Sequence, residues 1–155
     1  MPVKNLLPKQ PYPSRNSAIA SGILVLSLLF CSSALTAGTP MFNSLPPETA
    51  SLEQYQWHNR PVIVFAPSEK DADYIRQMAI LEKSKADLAD RDIIVLSDTT
   101  PAAGGQLRSQ FKPDGFEVVL VGKDGGVKVR QTTPLSSEEL LSTIDRMPMR
   151  KADLR

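Results

Sequence analysis

The residues best suited to chemistry in this sequence are two thioethers, one histidine and a scatter of aspartates. Met147-Pro148-Met149 pairs two soft sulfur ligands of the kind that select Cu(I), and Met41 and His58 are the residues that would complete such a site. Two thioethers alone hold a metal weakly, so the competing reading makes Met147 a core residue and Met149 a packing residue of the tail. His58 has no partner at metal spacing and reads as a surface or rim residue. Asp98, Asp114 and Asp124 match no calcium loop, although they would converge if their strands ended at one edge of a sheet. Gly104-Gly105 and Gly122-Lys123 lack the spacing and the following Ser or Thr of a phosphate loop, and read as loop and hairpin glycines. No cofactor is expected. Arg146, Arg150, Lys151 and Arg155 make the tail locally basic, fit either to touch anionic headgroups or an acidic partner or to be a solvated face.

The first 37 residues set the compartment. Lys4, Lys9 and Arg15 form a basic start with no acidic residue before Glu48, and an uncharged apolar run follows from Ala18 to Phe30. Small residues come next, offering a cut after Ala34 or Ala37, as in a secretory signal peptide. A membrane span needs about 20 apolar residues, a length reached only if Cys31 to Ala37 is added. A cleaved signal is therefore preferred to a retained anchor. A lipid on Cys31, the chain's one cysteine, is disfavoured by the bulky Phe30 before it. All three readings put the folded part in the periplasm or cell envelope, touching membrane only through this segment. Setting aside the three leading basic residues leaves 15 of 18 against 17 acidic ones, a net charge of −2. That is no nucleic-acid binder's balance.

Residues 38–50, with Gly38, Pro40, Pro46 and Pro47, read as a linker, and 51–155 as one domain. Within it Pro61 to Ala66, Ile93 to Leu96 and Val118 to Val121 are unbroken apolar runs, the mark of strands buried on both faces. Val127 to Arg130 alternates, as an outer strand does, and Asp124-Gly125 before it predicts a hairpin. Tyr74, Met78, Leu81 and Leu88, with Ile75 beside them, predict a helix over 71–89. Ser136 to Glu139 is a capping box, with Leu135 and Leu140 as its staple, and it opens a helix carrying Leu140, Leu141, Ile144 and Met147 that Pro148 ends. A short helix is expected over 106–111. The order strand, helix, strand, short helix, strand, strand, helix has a parallel first pair and an antiparallel last pair. This is the thioredoxin-like arrangement, an α/β sandwich with a mixed four-stranded central sheet flanked by helices.

The stretch Trp57 to Pro67, the segment Asp114-Gly115-Phe116 running into Val119 to Lys128, and Ile144 to Arg150 resemble a bacterial family catalogued as domain of unknown function 4174. The resemblance covers roughly 52–155 and implies a thioredoxin- or peroxiredoxin-like fold in an extracytoplasmic setting. It implies no activity.

In such a fold the reactive position follows the first buried strand, at the start of the first long helix. Here it is Ala66-Pro67-Ser68-Glu69-Lys70-Asp71, without the low-pKa thiol a redox enzyme needs there. Thiol oxidoreductase and peroxidase chemistry is therefore excluded for the mature chain unless a partner supplies the sulfur. Ser68 as a nucleophile would need a base near it, and it reads instead, with Asp71, as a helix cap. The expected function is a non-enzymatic module that binds an envelope protein or peptide. The groove would lie near Pro67 and the loop Lys112-Pro113-Asp114-Gly115, where thioredoxins place a substrate-contacting proline. Ser68, Pro113, Asp114 and Arg150 are the binding candidates. The alternative is a small-ligand or metal site, or an enzyme using Arg60, Glu69, Arg76 and Asp114.

Overall fold

The computed structural model describes residues 41–154. Residues 1–37, whose pattern reads as an export signal and which include Cys31, lie outside the described residues, as does Arg155.

Three apolar runs become the buried strands. β2 (Arg60–Phe65) and β3 (Ile93–Asp98) are parallel, with Val62 opposite Val95 and Ile63 opposite Leu96. β4 (Glu117–Val121) runs antiparallel to β2, with Val62 opposite Leu120. β5 (Val127–Gln131) pairs antiparallel with β4 across a hairpin in which Gly125 takes φ +81°, a conformation costly for any residue with a Cβ. Strand alternation sorts the side chains onto two faces. Val62, Val64, Val95, Val118 and Leu120 pack under Leu81, Leu88, Leu140 and Ile144 on one face. Ile63, Phe65, Leu96, Val119 and Val121 pack with Leu45 and Leu107 on the other. Each such aliphatic side chain contributes about 1.5–3 kcal/mol on full burial.

The sheet gains a fifth strand beyond the four expected. β1 (Phe42–Ser44) pairs parallel with β3, giving the order β1-β3-β2-β4-β5. It falls in the stretch read as linker. The pairing is chiefly main chain, the Val95 N–H donating to the Met41 carbonyl at 2.7 Å and the Leu45 N–H to the Ser97 carbonyl at 2.8 Å, with the Ser97 hydroxyl adding a bond to the Asn43 carbonyl at 3.4 Å. Pro46 and Pro47 lie just past the strand and cost it no hydrogen bond.

The helix expected over 71–89 is two. α1 (Ala72–Lys83) and α2 (Lys85–Ala89) break at Ser84, whose hydroxyl lies 2.5 Å from that of Ser137. Leu81 and Leu88 stay buried on either side of the break, while Ile75 faces water. Gln77 is fully buried: its Nε2 donates to the Leu135 carbonyl at 3.1 Å and its Oε1 accepts the Leu135 N–H at 2.6 Å, tying α1 to the segment just before the helix capped by Ser136. α3 (Gln106–Phe111) and a 3₁₀ turn at Glu53–Tyr55 cover the other face. α4 (Ser137–Asp145) is capped by Ser136 Oγ, which accepts the Glu139 N–H at 3.2 Å. Pro148 ends that run and opens another: α5 (Pro148–Asp153) begins with the proline in its first turn, where a missing N–H costs nothing.

Candidate functional site

β2 and β3 end where β4 begins, and the sheet ends there in charge. Phe65 pairs with Asp98 on one side and Glu117 on the other. Asp98 is 6% exposed and Glu117 3%. A carboxylate so buried is costly unless paired, and each has an arginine. Arg108 of α3 donates Nε to Asp98 Oδ2 at 2.8 Å. Its Nη2 donates to the Asp98 carbonyl at 2.8 Å and the Ala66 carbonyl at 3.0 Å. Its guanidinium carbon sits 5.5 Å from the Phe65 ring centroid. The other Asp98 oxygen accepts the Thr100 N–H at 3.1 Å. Arg130 of β5 pairs with Glu117 and donates to the Phe111 carbonyl at 2.6 Å. Two guanidinium–carboxylate pairs thus close this end of the core, and that of Arg108 holds Ala66, the buried first residue of the reactive position.

The loop that follows is exposed from Pro67 to Lys70. Ser68 Oγ accepts the Lys70 N–H at 3.2 Å. Asp71 is the cap of α1, its Oδ1 accepting the N–H groups of Asp73 at 3.1 Å and Tyr74 at 3.0 Å. A carboxylate therefore already occupies the positive end of the helix. The loop before β4 comes to the same end of the sheet: Lys112 turns out of α3 at φ +50°, Gly115 takes φ +89°, and Asp114 is exposed. Every peptide bond among the described residues is trans, that of Pro113 included.

Topology therefore brings Ser68, Glu69, Pro113 and Asp114 to one end and leaves the other candidates elsewhere. Arg76 is exposed on α1, 3.9 Å from Asp73. Arg60 begins β2 at the opposite end, fully buried. The three aspartates divide likewise, Asp98 and Asp114 at the reactive end and Asp124 in the far hairpin, where it holds Lys128 at 2.6 Å. His58, also at the far end, is exposed. Ser68 thus has no imidazole beside it among the described residues, and nothing there would activate it. What the end presents is an exposed, polar loop surface.

The far end holds a second charge cluster. Arg91 grips Asp145 with two bonds of 2.9 Å. The bonded guanidinium holds the Asp145 carboxyl below its ordinary 3.8, and Asp145 in turn raises Arg91. Lys128, together with the Gly126 N–H, lowers Asp124 in the same way. Arg150, expected on a solvated or ligand-touching tail, is buried: Nη1 donates to the Asp90 carbonyl at 2.8 Å and Nη2 pairs with the Asp90 carboxylate. Its charge is spent inside the chain, fastening α5 to the turn before β3. Met147 and Met149 do share the wall of one cavity of about 180 Å³, but Arg60, Lys123 and Lys128 line it too, and the carboxylate there, Asp124, is already paired with Lys128, so the lining opposes a metal cation. Met41 lines a different cavity, beside Asn59 and Asp92.

Sequence reasoning missed Arg108, Glu117, Arg130 and the packing of Arg60. The signal was a charge flush against the end of each apolar run: Arg60 before Pro61, Asp98 after Leu96-Ser97, Glu117 before Val118.

A parallel strand–helix–strand unit, a closing hairpin and helices on both faces define a thioredoxin-like domain, here with serine and proline at the thiol position. Solved structures share the fold. A reduced 2-Cys peroxiredoxin of Plasmodium vivax matches with a TM-score of 0.50 at 15% identity, over 67% of this chain and 85% of its own. Plasmodium yoelii thioredoxin peroxidase I gives 0.50 at 14%, over 65% and 79%. Chloroplastic thioredoxin z gives 0.51 at 14%, over 70% and 96%. Such identities establish the fold and nothing finer. The chain belongs to the family described as domain of unknown function (DUF4174), which matches residues 51–153.

Proposed function

We propose that this chain is an exported thioredoxin-like domain of the cell envelope that binds a partner protein or peptide and performs no thiol chemistry. One observation carries the reading: the fold is complete while its reactive position is closed. Ala66 is pinned by Arg108, Ser68 accepts a local N–H, and Asp71 fills the helix end where a thiolate would be stabilised. Such a site offers shape and polar groups to a partner but no nucleophile. The basic, then apolar, then small-residue start of the sequence supports export. Affinity capture with the exported chain from envelope extract tests the partner. The account predicts a discrete species that is lost when Pro113 and Asp114 are both replaced by Ala. Recovery at background level, or capture indifferent to the replacement, overturns it.

A further inference from the structure

The end of the sheet away from the reactive position carries a fully buried arginine with unused donors. A guanidinium has five N–H groups. Arg60 Nη1 donates to the Arg91 carbonyl at 2.8 Å, while Nε and Nη2 are buried without a hydrogen-bond acceptor. The carboxylates facing it stand off: Asp92 Oδ2 is 3.7 Å from Nη1 and Asp153 Oδ2 is 3.7 Å from Nη2, both beyond hydrogen-bond range. Lys123, only 11% exposed, is 2.8 Å from Asp92 but again 3.7 Å from Asp153. Asp153 therefore sits between two cations and bonds to neither. It is nearly half exposed, on the last turn of the short α5, and can swing away at little cost. Unmet buried guanidinium donors are destabilising, so a better acceptor would be held there.

Beside these cations lies the cavity of about 180 Å³, whose remaining wall is Met147, Pro148, Met149 and Gly122, with the Asp124 carboxylate already neutralised by Lys128 at 2.6 Å. Cationic groups at one end and thioethers and a pyrrolidine ring at the other fit one chemistry. We propose that this cavity binds a carboxylate carried on a compact apolar body, the carboxylate replacing Asp153 between Arg60 and Lys123 and the apolar part lying on the Met147–Met149 wall. This site is independent of the partner surface at the other end of the sheet. The same chemistry is found in a free short-chain acid and in the C-terminal residue of a peptide.

The test is amide chemical-shift titration of the full chain with hexanoate, hexanamide, inorganic phosphate, and the tripeptide Ala-Ala-Leu as free acid and as amide. Saturable shifts at Lys123, Lys128, Met147 and Met149 are expected with the acids and not with the two amides or phosphate. A free-acid tripeptide binding more tightly than hexanoate assigns the source to a peptide terminus, and the reverse assigns it to a free acid. Asp153→Asn, which withdraws the internal competitor, is expected to tighten binding about tenfold, and Lys123→Met to weaken it about as much. Asp153 is nearly half exposed, so Asp153→Asn keeps the proposal testable even if Lys123→Met, whose side chain is 11% exposed, disturbs the fold. Absence of saturable shifts with every acid, equal shifts with hexanamide, or weaker binding by Asp153→Asn overturns the proposal.

Discussion

Replacing Arg108 by Met removes one guanidinium and leaves all its partners in place. Asp98 would keep its charge at 6% exposure with a single remaining bond to its side chain, the Thr100 N–H at 3.1 Å. The Ala66 carbonyl would lose the Arg108 donor now at 3.0 Å. Both members of the pair are shielded, the arginine side chain being 12% exposed, so solvent screens little of the loss. Breaking a buried pair from one side costs about 3–5 kcal/mol, a large share of a stability of about 5–15 kcal/mol. Removing both charges is gentler. Asp98→Asn retains the acceptor for Thr100, so Asp98→Asn with Arg108→Met is expected to cost about 1–2 kcal/mol, well below the arginine variant alone. Urea unfolding of the chain, the two single variants and the double at neutral pH measures the cycle. A cost under about 1 kcal/mol for Arg108→Met, or a double variant no better than the worse single, would refute the idea that this pair locks the reactive end.

Three further outcomes follow from the same contacts. Ser68→Cys installs a thiol whose helix end is already taken by Asp71, so its thiolate absorbance should titrate within about 1 unit of the ordinary 8.5; a value below about 7 would contradict that occupancy. Gln77→Leu strips the buried Leu135 N–H and carbonyl of their partners and is expected to lower stability by about 2–4 kcal/mol in denaturant unfolding, whereas an unchanged midpoint would show that α1 and α4 are joined otherwise. Asp145 is held below 3.8 by Arg91, so its ionised form favours the folded state. That contribution is full above 3.8 and is lost as pH falls through the lower folded-state value, while Arg91, raised further, stays charged throughout. The stability gap between the chain and Asp145→Asn is therefore expected to hold steady at neutral pH and to close below 3.8; a gap that widens in acid would be inconsistent with the pair.

The parts of the fold legible in the sequence were those that depend on local pattern. The three unbroken apolar runs, the Asp124-Gly125 hairpin and the Ser136 cap each follow from adjacent residues, and each became the element expected. β1 was hidden because its pairing is made chiefly by main chain in a short stretch between prolines, which leaves no periodic signature. The break at Ser84 was hidden because Leu81 and Leu88 keep helical spacing across it. Arg150 illustrates the limit for charges: a tail arginine reads as solvated until Asp90, sixty residues earlier, is placed beside it. The nearness of Ser68 to the Pro113 loop could be inferred from strand direction alone. The convergence of Arg60, Lys123 and Met147 could not, because it depends on where three separate segments end.

The central claim is that the reactive end of this thioredoxin-like domain is kept for contact and not for catalysis. Site-specific photo-crosslinking in intact cells tests it most directly, with the photoreactive residue placed in turn at Pro67, Ser68, Pro113 and Asp114 and, for contrast, at Glu138 on α4. The account predicts one discrete adduct, outside the cytoplasm, from the four loop positions and none from Glu138. Adducts equally strong from Glu138, or none from the loops, would contradict it.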